Sequence, residues 1–345
     1  MDNDWVNSVD ADLPKNGLRD SGVDMIKSVC IILVLIWHLQ PISAYMMQTN
    51  SSFGVFGWLS VDFLYRYVTT LAVPTLICIS MVLFIKKSLL TDGYWKERLP
   101  RLILLFLFWT CIQFVFYLLA GGRFPPTIST IIPDGGPGLP YVGGSVFYFL
   151  FALVICTGVA AIFLKLSDKL KFIASTIVIF LSCLVFIISS HYKSPLKITE
   201  MENYYLYIPI AYYLVKYQNK LVHYRMLFIF GYLLAVAYEA GIVRSTTSAY
   251  ARLSIVFGVL SLISIVLPVQ FGRRPAMEFL SKYCLGIFCL HKYWLYLFIT
   301  FLGVIKSQVY VPIFLGGLIL FITTVVLTFI SVYLLGRTKL RKFVS

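Results

Sequence analysis

Residues 24–38, DMIKSVCIILVLIWH, put ten residues with no formal charge between a lysine and a histidine. A soluble helix would alternate this apolar surface with a charged face; here the oil runs all the way round, as it does in a helix surrounded by lipid. The same pattern recurs along the chain. Apolar blocks of the length needed to cross a hydrocarbon core, about 20 residues each, stand at 25–45, 60–85, 101–120, 145–164, 171–190, 203–215, 226–242, 252–270, 283–304 and 309–335, the sixth being short. Of the 345 residues 59% are apolar or aromatic and only 13% charged, about half the charged share usual in soluble domains. The reading is an all-α integral membrane protein, a bundle of about ten transmembrane helices.

The connections set its orientation. With the N-terminus inside, 21 of the 29 Lys and Arg fall on the cytoplasmic side, in clusters such as Lys86–Lys87, Lys165–Lys171, Lys216–Arg225 and Arg337–Lys342, and 6 fall opposite. Positive charge resists translocation, so both termini are expected in the cytoplasm of a multi-pass protein of the plasma (inner) membrane. The net charge of +14 is thereby absorbed as topology and lipid contact, and no nucleic-acid partner is expected. Residues 1–22 read as a polar cytoplasmic tail, 23–336 as the transmembrane domain and 337–345 as a basic cytoplasmic tail. The seven cysteines lie within apolar blocks without a CxxC pair, so neither a disulfide framework nor a metal site is expected. The one long outer connection, 121–144, is rich in Gly and Pro and is either a spacer or a binding loop.

Ionisable groups inside hydrocarbon cost roughly 2.5–3.5 kcal/mol each on insertion scales, so the chemistry is sought among Lys27, His38, Asp62, Arg66, Glu239, His291 and Lys292. Lys27 and His38 are eleven residues apart. On a helix that leaves them about 20° from one face and about 16 Å apart along the axis. A long donor could set its anionic groups at Lys27 and its reactive end at His38; equally, Lys27 could snorkel to the interface and His38 serve only as a packed polar group. Asp62 and Arg66, four apart, read as a structural ion pair. Glu239 has no partner assignable from the sequence.

Five segments together resemble the acyltransferase-3 family of integral membrane acyltransferases, of the envelope-polysaccharide O-acyltransferase type. VDMIKSVCIILVLIWH at 23–38 is similar to its opening motif, with Lys27 where an Arg is usual. AVPTLICISMVLFIKK at 72–87 and YWKERLPRLILLFLFW at 94–109 resemble the next two segments, the latter supplying Arg98 and Arg101. GGSVFYFLFAL at 143–153 resembles the aromatic stretch before the fourth helix, and LSKYCLGIFCLH at 280–291 the late motif that supplies Ser281, Tyr283 and His291. The resemblance implies transfer of an acyl group, acetyl being the expected one, from cytosolic acyl-coenzyme A (acetyl-CoA) to a hydroxyl of a cell-envelope glycan or lipid-linked glycan precursor. Membrane lipid and envelope-glycan assembly proteins are the other expected partners, and no permanently bound cofactor is implied. A neutral imidazole, with an unperturbed pKa of about 6.5, can take the hydroxyl proton near neutral pH, so His38 is the expected catalytic base, although a covalent acyl-imidazole is also open. Lys27, Arg98 and Arg101 would bind the donor's anionic groups, the lysine without the planar fork of an arginine. Ser281, Tyr283 and His291 would polarise the carbonyl or orient the acceptor. The competing function is a transporter or flippase of a glycan intermediate that uses the histidines as proton carriers.

Overall fold

The computed structural model describes residues 21–41, 61–119, 148–191, 202–242, 250–269, 272, 274–305 and 313–345. The acidic segment 1–20 and the loop 121–144 lie outside the described residues. All regular structure among the described residues is helical: α1 (Ser21–Leu39), α2 (Val61–Leu90), α3 (Trp95–Leu119), α4 (Tyr148–Leu164), α5 (Asp168–His191), α6 (Tyr207–Lys216), α7 (Arg225–Ile242), α8 (Leu253–Val266), α9 (Pro275–Lys282), α10 (Cys284–Ile305), α11 (Ile313–Leu335) and α12 (Arg341–Val344), with short 3₁₀ turns between some of them.

The protein is an all-α, multi-pass membrane protein, but the expected count of about ten spans is corrected. Six helical segments among the described residues are long and apolar enough to cross: 21–39, 61–90, 95–119, 168–188, 220–240 and 317–335. The blocks at 145–164 and 252–270 correspond to shorter apolar helices, Tyr148–Leu164 and Leu253–Val266, and at 283–304 the apolar stretch whose side chains are described is Cys284–Phe298, within the longer α10. The block at 203–215 becomes the ten-residue α6, whose rise of about 15 Å is half a hydrocarbon core. A run of apolar residues reports oil without reporting where the helix breaks. At 266–275 it breaks before Pro275, which opens α9 as a residue with no amide proton to leave unpaired.

The core forms around α2. In its most apolar stretch 83% of residues are buried, against 11% for α5 and 6% for 220–240, so α2 is enclosed by other helices while α5 and α7 present their side chains outward. Pro74 removes an amide donor inside α2 and crowds the carbonyl four residues back. Upstream of it the backbone also runs through a π turn at Leu64–Val68 and a 3₁₀ turn at Thr69–Leu71. Hydroxyls attend the irregular turns: Thr69 Oγ1 donates to the Tyr65 carbonyl, Thr70 Oγ1 to Arg66 and Thr75 Oγ1 to Leu71, at 2.7–2.8 Å. Such local pairing is what lets a broken helix persist where no water can reach.

Helix α1 ends for local reasons. Gln40 takes a left-handed φ of 41° and precedes Pro41, which disfavours helical geometry in the residue before it. His38 therefore sits in the last turn of α1. The opposite end of α1 packs closely on two later elements. Gly22 lies so near the end of α8 that a Cβ there would stand 2.5 Å from the Leu267 carbonyl oxygen. Ser28 Oγ sits between the carbonyls of Asp24 and Met277, at 2.7 and 2.9 Å, and its single proton serves one or the other. The short α12 returns to this region, with Phe343 and Val344 buried and Val344 against Gly286 of α10.

Candidate active site

Two helices distant in sequence bring the histidines together. The His38 and His291 rings lie with centroids 5.0 Å apart, tilted by 38°. His291 is fully buried, at 0% exposure, whereas His38 is half-buried. His291 Nδ1 is 3.0 Å from the Ile287 carbonyl oxygen one turn back. A carbonyl oxygen only accepts, so Nδ1 carries the proton, and in the neutral ring the lone pair is on Nε2. That nitrogen is buried with no hydrogen-bond partner among the described residues. Leaving a buried acceptor unsatisfied costs about 1–3 kcal/mol, which makes it a natural place to seek an absent proton donor. The Phe288 ring closes one side, edge-on to His291 at 6.2 Å.

The other end of α1 is a second polar locus. Ser281 Oγ donates to Asp24 Oδ1 at 2.5 Å, and both residues are buried, at 5% and 4% exposure. The Cys284 sulfur lies 3.9 Å from the Lys27 carbonyl. Lys27 itself is half-buried. Between Lys27 and His38 the same helical face carries Ile31 and Val34, both buried, so an apolar stripe about 16 Å long joins the cation to the imidazole.

Helix α3 supplies the two arginines. Its inner stripe is Leu102, Leu105, Trp109 and Gln113, and stepping back four residues from Leu102 puts Arg98 on that stripe, half-buried, while Arg101 points outward and is exposed. Trp109 Nε1 donates to the Phe343 carbonyl at 3.0 Å, and the Phe108 ring stacks on Phe343 at 3.9 Å. The end of α12 is thus clasped to the side of α3 that bears Arg98.

The structure therefore brings His38 to His291, and Ser281 to the start of α1, but it separates the two groups. Ser281 and Tyr283 lie beside α9 and the first turn of α10, ten and eight residues before His291. Tyr283 is buried against Phe279, at 5.0 Å, with the Lys282 ammonium 4.9 Å from its ring. Sequence reasoning passed over Asp24 as a site residue, although it lies fourteen residues before His38 and so within about 40° of the same face. It also left Glu239 unpartnered; its carboxylate accepts from the Ser254 amide at 2.9 Å and from the Ser254 hydroxyl. Nearby, Arg252 Nη1 reaches the Arg66 carbonyl at 3.4 Å. Asp62 and Arg66 form the expected ion pair, 2.7 Å between Oδ1 and Nε.

Comparison with curated proteins and with solved structures returns no match. A family model described as an acyltransferase domain matches residues 20–337, more than nine-tenths of the chain, and its range takes in both histidines, Lys27, both α3 arginines, Ser281 and Tyr283. With the paired histidines, the apolar helices and the family match in agreement, the chain belongs to the acyltransferase-3 family of membrane acyltransferases.

Proposed function

We propose that this protein transfers an acyl group, acetyl first among the candidates, from acyl-coenzyme A to a hydroxyl of a cell-envelope glycan or its lipid-linked precursor, with His38 as the base. The observation that carries this reading is the 5.0 Å pairing of His38 with a fully buried His291. His38 is half-buried where His291 is fully buried, so His38 is assigned as the ring that meets substrate. It accepts the acceptor's hydroxyl proton as the oxygen attacks the thioester carbonyl carbon. When the tetrahedral adduct collapses, the carbon–sulfur bond breaks and the protonated ring returns the proton to the leaving thiolate. His291 is a positioning residue: with its own proton committed to Ile287, its Nε2 lone pair is available to a proton from the His38 side of the pair.

In this reading the donor lies along the stripe from Lys27 to His38, with its anionic groups near Lys27, Arg98 and Arg101. A thioester at the end of a long thin arm suits a 16 Å apolar path better than a compact donor does. The end of the bundle carrying Lys27, Arg98 and α12 then faces the cytosol, as the distribution of positive charge favours, and the protein sits in the plasma membrane. Ser281 acts on the donor end by holding Asp24, rather than on the acceptor.

The test is a pair of glutamine substitutions assayed for acylated product and for extracted folded protein. His38→Gln should lower turnover by about 10²–10⁴-fold while folding and donor binding persist. His291→Gln should lower turnover less and leave a measurable pH dependence. Near wild-type turnover in His38→Gln would remove the base from this mechanism.

A further inference from the structure

Away from the histidines, a cavity of about 490 Å³ opens between α5, α6, α7 and α8. Its walls are apolar, with Ile179, Leu214, Leu221 and Leu260 among them, and its rim carries Tyr217, Lys220 and Tyr224. The rim is Tyr217 and the 3₁₀ segment Gln218–Tyr224 that follows it and joins α6 to α7. Two ammonium groups flank the Tyr217 ring, Lys216 at 6.0 Å and Lys220 at 5.9 Å, and Arg225 follows. From residue 203 to 238 the chain contains no Asp or Glu, and the acidic group that approaches this side from α5, Asp168, is paired with Lys171, so basic residues predominate at the rim.

The flanks show which solvent the opening meets. On α5, Leu170, Phe172 and Phe180 are 51%, 64% and 65% exposed, and on α7 Met226, Leu227 and Phe230 are 66%, 60% and 59% exposed. Contiguous apolar exposure on this scale belongs in lipid. A soluble metabolite would meet walls with few polar groups to orient it, whereas a fatty-acyl chain needs none. Tyrosines and lysines at the end of an apolar crevice match the boundary where chains give way to headgroups, and basic pockets between membrane helices at the cytosolic face suit anionic headgroups.

We propose that this cavity is a binding site for one anionic phospholipid, an acyl chain filling the apolar part and the phosphate held by Lys220 and Lys216. The site is separate from the acyl-transfer site and does not depend on the assignment of His38. Its occupant ties α5 to the α6–α7 connection.

The experiment uses the full chain reconstituted in vesicles of equimolar phosphatidylglycerol and phosphatidylcholine, extracted gently, with retained lipid identified by mass spectrometry. At about 1 kcal/mol per lysine near the surface, two lysines favour the anionic lipid by about 30-fold. The wild type should retain phosphatidylglycerol in that preference. The double substitution Lys216→Gln with Lys220→Gln changes only half-exposed and exposed side chains, so folding persists; it should reduce the preference to within about threefold. Leu214→Trp, which fills the cavity, should reduce retention of both lipids. Equal retention of the two lipids by the wild type, or an unchanged phosphatidylglycerol preference in the double variant, overturns the proposal. If Leu214→Trp perturbs folding, Leu260→Phe asks the same question from the opposite wall.

Discussion

Replacing Ser281 by alanine separates two accounts of what that hydroxyl does. Its bond to Asp24 is short, 2.5 Å, and both residues are at most 5% exposed. Hydrogen bonds to charged groups contribute about 1.5–3 kcal/mol in soluble proteins, while bilayer-embedded ones average about 0.6 and reach about 1.7. A short, fully buried hydroxyl–carboxylate bond belongs where these ranges meet, near 1.5 kcal/mol, or roughly tenfold in the folding equilibrium. Ser281→Ala should therefore destabilise the protein by about that much in detergent unfolding. The start of α1 loosens as well, so the donor KM should rise, with kcat changed by less than about threefold. Ser281→Thr, which keeps the hydroxyl, should restore both. A group that polarises the reacting carbonyl behaves in the opposite way, since losing one such donor lowers kcat by about 10²–10³. A fall of that size with stability and KM unchanged would refute the placement of Ser281 at the donor end.

Arg98→Ala should weaken coenzyme A binding, measured by calorimetry on the purified protein, by about 10–100-fold, and Arg101→Ala by less than about threefold, because only Arg98 lies on the inner stripe of α3; equal effects would contradict that asymmetry. Gly22→Ala should destabilise by about 1–3 kcal/mol, since the new Cβ meets a backbone carbonyl at 2.5 Å that cannot rotate away. Gly158→Ala, where nothing lies within 4 Å of the added carbon, should be neutral or stabilising by up to about 1 kcal/mol, and the contrast is read in one unfolding assay.

The class of the fold was legible because oil in long blocks has few other uses, and the Lys27–His38 alignment was legible because helical periodicity fixes angles within one helix. Periodicity is silent about neighbours. It places His38 on a face of α1 but cannot say that His291, on another helix, occupies the facing position, nor that Glu239 meets Ser254 across the packing of α7 on α8. The Asp62–Arg66 pair was readable because its partners are four residues apart on one helix. The number of spans was overcounted for a related reason. Blocks at 203–215 and 252–270 have the composition of spans, but the helices within them are ten and fourteen residues long. Ser281 and His291 entered the sequence reading together because one motif contains them both; in space they serve opposite ends of α1.

The bonds that fasten the start of α1 have a consequence for how the protein is made. Ser28 contacts Met277 across 249 residues, and Asp24 accepts from Ser281 across 257. At a synthesis rate of about 5–20 residues per second, the ribosome needs roughly 12–50 s to travel from one partner to the other. Throughout that interval α1 has already entered the bilayer, carrying an acidic residue and a lysine that its late partners have yet to meet. The insertion machinery or the helices made meanwhile must shelter those groups, and a nascent chain arrested before Pro275 contains the first histidine but no assembled site. His38 likewise meets His291 only after the later helix has been made, so a chain interrupted before it reaches the membrane without the paired histidines.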